Sequence, residues 1–328
     1  MANKSILQVN NLLTQFHSEN WLVNAVNDIS FDIKEGQTVC LVGESGCGKS
    51  ATALSIMGLI DPASGKVSEG EVLFQEKDLL KMKKSDLRRA RGNEFAMIFQ
   101  EPMSSLNPVL TIGEQITEPL MEHEVITKKE AKKRALELIE LVGIGGGSEI
   151  FTSYPHQLSG GMLQRIMIAI ALSCNPSLLI ADEPTTALDV TIQAQILDLL
   201  RTLKEERSMS MLLITHDLGV VAEVADYVIV MYAGKIIEHA PVIELFKNPK
   251  HPYTKGLLKA KPVINQRQER LYTIPGQVPD LAGLKPSCYF SDRCEHTMSI
   301  CREKAPAMKQ VNDSHEVACW LYEEKVSV

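Results

Sequence analysis

The sequence predicts an α/β fold, a large domain of buried strands alternating with helices, followed by a small cysteine-containing C-terminal extension. Three observations carry that reading. An apolar run at 38–42 leads into Gly43-Glu44-Ser45-Gly46-Cys47-Gly48-Lys49-Ser50, and a helix-forming stretch at 51–59 follows. Further apolar runs at 95–99, 177–181 and 211–215 end in polar residues: Gln100, Asp182-Glu183 and His216. Strands alternating with helices indicate a parallel sheet, with ligand-binding residues at the carboxyl ends of the strands. From Pro241 onward the composition turns Pro-rich, and four of the seven cysteines fall in the last 41 residues.

The loop after the first apolar run has its own chemistry. Gly43, Gly46 and Gly48 let backbone N–H groups face inward as an anion nest, and the following helix N-terminus adds its positive dipole. Lys49 can reach terminal phosphates as a point charge, and the Ser50 hydroxyl suits a magnesium ion. In its strand, loop and helix context, G-x-x-x-x-G-K-S reads as a nucleoside triphosphate site. At 328 residues the chain exceeds one average domain, and its 45% apolar content suits a globular protein. A net charge of -7 and a pI near 5.7 argue against a primary role on nucleic acid. No apolar run approaches the roughly 20 residues that span a bilayer. Met1-Ala2-Asn3-Lys4-Ser5-Ile6 lacks a secretory core. The expectation is a cytosolic chain that reaches the membrane through a partner.

Segments 6–12 and 29–33 alternate with period 2 and read as strands, with Gly36 turning the chain into the nucleotide strand. Phe16 and Trp21 between them are both candidates to stack on an adenine, or to pack on their own sheet. Residues 71–74 read as a strand. In 101–108, Pro102 and Pro108 argue against regular structure. From about 112 to 171 the pattern is helical, with Thr127-Lys128-Lys129-Glu130 as a capping box for a helix to Val142 and Gly143 ending it. Leu158-Ser159-Gly160-Gly161-Met162 opens another helix, with a cap that also suits an anion. A carboxylate after 177–181 is the usual second half of a phosphate-loop site, Asp182 for magnesium and Glu183 for the attacking water. Residues 192–207 form an amphipathic helix, and 227–231 with 235–238 a hairpin around Ala233-Gly234.

In order, Gly43 to Ser50, Gln100, Leu158 to Arg165, Leu178 to Glu183, Ala187-Leu188-Asp189 and His216 resemble the Walker A, Q-loop, signature, Walker B, D-loop and H-loop of an ABC transporter ATPase. The segments 101–108 and 251–258, with the C-terminal cysteines, resemble the oligopeptide/dipeptide importer branch, which also includes nickel importers. The resemblance implies an ABC ATPase fold, a RecA-like P-loop core with antiparallel β and helical subdomains. It implies a nucleotide-binding domain over 1–245, its helical subdomain at about 101–172, and a C-terminal domain over 246–328. It further implies a dimer of related, usually different, ATPase subunits at the cytoplasmic face of the membrane. Two transmembrane permease subunits and an extracellular solute-binding protein complete the importer.

By the same resemblance ATP binds Phe16, Gly43, Glu44, Ser45, Gly46, Cys47, Gly48, Lys49, Ser50, Ala51, Gln100, Asp182 and His216. Magnesium falls to Ser50, Gln100 and Asp182, catalysis to Glu183, Gln100 and His216, and the partner's ATP to Ser159, Gly160 and Gly161. Met162 in place of a frequent glutamine and Cys47 at a variable position remove no catalytic group. A soluble ABC ATPase acting on ribosomes or DNA is less in keeping with one cassette and an acidic chain. Intact Glu183 and His216 speak against a non-hydrolysing regulatory subunit.

Cys288, Cys294, Cys301 and Cys319 remain. Disulfides are disfavoured in a cytosolic chain, and four buried thiols are the plainer alternative. The spacing lacks the close pairs of tetrahedral zinc and differs from the bacterial ferredoxin run, while His296 beside Cys294 leaves zinc open. The residues alone leave a four-thiolate site with its metal undecided. The resemblance implies a [4Fe-4S] cluster that pins a tail with little regular structure.

Overall fold

The computed structural model describes residues 4–18, 21–186, 188–260 and 272–323. Ala187 of the expected D-loop, Pro262 and the first three residues lie outside them, as does the side chain of Trp21. In chain order the strands are β1 (Ser5–Ser18), β2 (Trp21–Lys34), β3 (Thr38–Val42), β4 (Gly65–Phe74), β5 (Lys77–Asp78), β6 (Phe95–Ile98), β7 (Leu178–Asp182), β8 (Ser210–Thr215), β9 (Tyr227–Tyr232), β10 (Lys235–Pro241), β11 (Lys309–Asn312) and β12 (His315–Val317). The chain divides into two compact units.

The first unit gathers Met1–Ile6, Ile33–Gln37 and Gln75–Ile214. Its strands lie in the order β8-β7-β6, parallel, with Phe95 opposite Leu178 and Leu178 opposite Ser210. All three are buried along their length, which explains why they read as unbroken apolar runs instead of alternating ones. Helices Ile112–His123, Lys128–Leu141, Gly147–Thr152 and Gly160–Ala171 supply the connection from β6 to β7. The Thr127 box forms as expected: Glu130 N–H donates to Thr127 Oγ1 at 3.3 Å and Thr127 N–H to Glu130 Oε2 at 2.8 Å. Thr111 and Glu114 form a second one, a T-x-x-E signal the sequence offered equally. Pro102–Ser105 is a short helix, against the expectation of irregular chain. Pro102 sits at its start, where a missing N–H costs nothing.

The second unit gathers Leu7–Asp32, Thr38–Phe74 and Thr215–Val328. Within it β1 runs between β2 and β4, antiparallel to β4 from Leu7 opposite Phe74 to Phe16 opposite Gly65. A second group lies in the order β11-β12-β10-β9-β3. Buried β3 is parallel to β9, Val42 opposite Val230. The β9–β10 hairpin turns on Ala233 and Gly234 (φ 47° and 82°), the two positive φ values that suit the strands' right-handed twist.

The described part of the tail is more ordered than its prolines suggest. Helix Pro252–Ala260 opens with proline, and β12 pairs with β10, Glu238 opposite Val317. Buried Glu238 fastens these pieces, accepting from the N–H groups of Lys250 (2.6 Å) and His251 (2.8 Å) and bonding His315 Nε2 (2.7 Å). Burial pushes its carboxyl up, but the hydrogen bonds, led by His315, outweigh that and hold it below the usual carboxylate range.

Candidate functional site

In the second unit the loop after β3 closes on itself. Its glycines are fixed by their surroundings: a Cβ on Gly43 would overlap the Met231 carbonyl, and one on Gly48 (φ 101°) the Ala25 carbonyl. At Gly46 (φ 79°) the space is open. The β9–β10 turn braces the loop, Gly234 N–H donating to Cys47 O at 2.9 Å. Lys49 begins helix Lys49–Met57 and is only 5% exposed. Its ammonium donates to the carbonyls of Gly43 (2.9 Å) and Glu44 (3.1 Å), so it lies over the loop it would leave to meet a phosphate. Burial raises the Cys47 thiol above its ordinary value, and Lys49 partly opposes this. Ser45 and Gly46 are exposed, while Glu44, Gly48, Ser50 and Ala51 are half-buried. Phe16 is half-buried near the end of β1 with its ring against Gly65.

In the first unit parallel register does the positioning. Ile98 lies opposite Ala181, so Gln100 and Glu183, each two residues further on, emerge at one level. Gln100 Nε2 donates to Glu183 Oε2 at 3.2 Å, and Thr186 Oγ1 donates to the same oxygen at 2.8 Å. Glu183 N–H donates to Ile214 O at 2.9 Å, and its backbone holds φ 45°, a strained value for a non-glycine that concentrates at functional sites. Asp182 is buried at the end of β7.

Ser159 caps helix Gly160–Ala171, its Oγ accepting from Met162 N–H at 3.4 Å, and Ser159 and Gly160 are exposed. Gly161 packs close to Ile192, where a Cβ would come within 3.1 Å. Asp189 caps helix Val190–Arg207. His216, in the second unit, follows β8 directly and is exposed.

Two family profiles match in sequence order. Residues 26–186 match the ABC transporter family, and residues 237–301 match the oligopeptide/dipeptide transporter C-terminal region. The chain is 54% identical over 321 residues to the oligopeptide transport ATP-binding protein AppD of Bacillus subtilis (strain 168), covering 98% of each. It belongs to the ATP-binding subunits of ABC transporters. A second ABC relative, the dipeptide transport ATP-binding protein DppD of the same organism, is 49% identical over 322 residues, 98% of this chain and 96% of that one. Among solved structures, the ATP-binding cassette MJ0796 in a dimeric post-hydrolysis state bound to ADP and Pi gives a TM-score of 0.65 at 31% identity. That match covers 72% of this chain and 98% of the cassette. The expected ABC ATPase fold therefore holds for the cassette.

The iron–sulfur and metal-binding expectation for this ABC ATPase is corrected. Among the described residues, no group of three or more His, Cys, Asp or Glu side chains is placed to hold a metal ion. Cys288, Cys294, Cys301 and Cys319 do line one small space, but at about 10 Å³ it has room for one water at most. All four are free thiols, and burial pushes Cys288 and Cys319 up to about 11. They pack as small hydrophobes with Phe290, Pro252 and Trp320, and neither the [4Fe-4S] cluster nor zinc is retained. Sequence reasoning also passed over Arg293, Tyr232 and Tyr253, which gather at Glu44. An acidic residue inside an anion-binding loop was the signal that a cation had to lie beside it.

Proposed function

We propose that this chain is the ATP-hydrolysing subunit of a membrane importer of oligopeptides or dipeptides. The observation that carries the ATPase is the Gln100–Glu183 pair, set level by β6 and β7 and joined at 3.2 Å. The peptide cargo is supported by the match to the oligopeptide/dipeptide C-terminal region and by the relatives named for peptide transport.

In the proposed chemistry Lys49 exchanges the Gly43 and Glu44 carbonyls for the β- and γ-phosphates, and the glycine-loop N–H groups of Gly43 to Ala51 cradle them. Phe16 stacks on the adenine, and His216 contacts the γ-phosphate. Glu183 orients the attacking water and accepts its proton, while Gln100, bonded to that carboxylate, reports nucleotide state to the helices at 102–171. Magnesium is proposed to fall to Ser50, Gln100 and Asp182, whose hydroxyl, amide and carboxylate oxygens are by type the hard donors that ion takes. Bound there, it would neutralise phosphate charge. Ser159, Gly160 and Gly161, on an exposed helix start, would serve the ATP of a second, homologous ATPase subunit.

The functional boundary is proposed near residue 245, with 246–328 as the C-terminal domain. Among the described residues no helix is long and apolar enough to cross a membrane. The relatives named for peptide transport support the proposal of a peripheral subunit partnered by two permease subunits at the cytoplasmic face, with an extracellular binding protein delivering the solute. The test is to purify the importer with its permease pair and measure ATP hydrolysis with peptide-loaded and empty binding protein. Peptide should raise the rate in the wild type and leave Lys49→Ala inactive. Hydrolysis indifferent to peptide would overturn the cargo assignment.

A further inference from the structure

Glu44 is the one acidic residue of the glycine loop, and all of its polar groups are engaged. Its N–H donates to Tyr253 Oη at 2.9 Å, and its carbonyl accepts from Lys49 at 3.1 Å. Its carboxylate accepts two parallel bonds from Arg293, 249 residues away in sequence: Nη1 to Oε2 at 2.7 Å and Nη2 to Oε1 at 3.0 Å. The Arg293 side chain is 5% exposed. Arg293 Nε donates to the Pro275 carbonyl at 2.9 Å, and Nη1 reaches Tyr232 Oη at 3.3 Å. Tyr232, Tyr253 and Phe290 pack edge to face around it, their centroids 4.7 to 5.5 Å apart. A guanidinium fork held by its own second set of contacts fixes the direction of the carboxylate it grips, which a flexible ammonium could not do.

We propose that Arg293, together with Tyr253, is a positioning residue for nucleotide binding: it holds Glu44 so that the glycine loop is kept in its phosphate-receiving shape by the C-terminal segment. This rests on the reading that ATP binds this loop. Glu44 joins the C-terminal grip to the carbonyl on which Lys49 rests. Without the grip the loop samples other shapes, and the apparent affinity falls with the fraction that remains competent. Turnover of bound ATP belongs to Glu183, in the other unit, and does not depend on this grip.

The experiment measures ATP binding by the full chain, using a fluorescent ATP analogue, and KM and kcat for ATP in the importer complex. The variants are Arg293→Lys, Glu44→Gln, their combination, and Tyr253→Phe. The expected result is a rise of about tenfold in Kd and KM for Arg293→Lys and for Glu44→Gln. For Arg293→Lys and Tyr253→Phe the kcat at saturating ATP should stay within about twofold, and the double variant should bind ATP little worse than either single one. Tyr253→Phe, which carries no charge change, should weaken binding in the same direction. Unchanged KM in Arg293→Lys, a fall in kcat without a rise in KM, or additive losses in the double variant would overturn the proposal. If Arg293→Lys fails to fold, Tyr253→Phe decides by the same Kd, KM and kcat readouts. Failure of the wild-type chain to bind ATP would instead overturn the ATPase reading, so the two failures are distinguishable.

Discussion

Replacing Gly48 by alanine tests whether the glycine loop is fixed by its surroundings. Gly48 holds φ 101°, and an added Cβ would overlap the Ala25 carbonyl on β2, a backbone atom that cannot swing aside. An L-residue in the left-handed region costs roughly 1–2 kcal/mol. Overpacking against fixed atoms adds about 1–3 kcal/mol. The loss for Gly48→Ala should therefore total about 2–5 kcal/mol. Gly46 gives the internal control, since it holds φ 79° but has no atom within 4 Å of the added Cβ. Gly46→Ala should cost only the backbone term, about 1–2 kcal/mol. Urea unfolding of the full chain reads both, and Gly48→Ala should unfold at clearly lower urea than Gly46→Ala. Equal losses, or an undamaged Gly48→Ala, would refute the contact-limited account of the loop.

Two further outcomes follow from the packing. His251 is fully buried and its Nδ1 accepts from Tyr253 N–H at 3.0 Å, and burial lowers its pKa from 6.5 to about 4. The unfolded chain thus binds the extra proton first: stability is full above pH 6.5 and falls as pH drops toward 4, by about 2 kcal/mol between pH 7 and 5. His251→Asn, which keeps an acceptor for Tyr253, should flatten that acid slope in urea unfolding at the two pH values, and an unchanged slope would contradict it. Thr127→Ala removes the hydroxyl that accepts from Glu130 N–H, leaving only the backbone half of the capping box, and should lower helix Lys128–Leu141 stability by about 1 kcal/mol. Hydrogen exchange should show faster exchange confined to the first turns of that helix, and unaltered exchange there would mean the cap contributes nothing.

The strands of the core were legible because β6, β7 and β8 are buried on both faces, and such strands stand out as short apolar runs between helices. The ends of those runs located Gln100 and Glu183 before any register was known, and the register then explained their meeting. Local signals went unread where a stronger one masked them: Pro102 hid a helix it begins, and the Thr111 box was overlooked beside that of Thr127. The C-terminal strands were not legible, since both are short: half-exposed β11 owes its place to pairing with β12, and β12 to pairing with β10 and to buried Glu238. Cysteine spacing misled for a related reason. It counts sulfurs along the chain but is silent on the volume they enclose, and here that volume is about 10 Å³. The Arg293 grip on Glu44 joins positions 249 residues apart, a distance no local pattern bridges.

The central claim, that Glu183 activates the water which cleaves ATP, is tested most directly by the hydrolysis rate of Glu183→Gln in the importer complex at saturating ATP. Glutamine keeps the shape and the contact with Gln100 but cannot take a proton, so turnover should fall at least about 100-fold while ATP affinity stays near that of the wild type. Near-normal hydrolysis by Glu183→Gln would contradict the account.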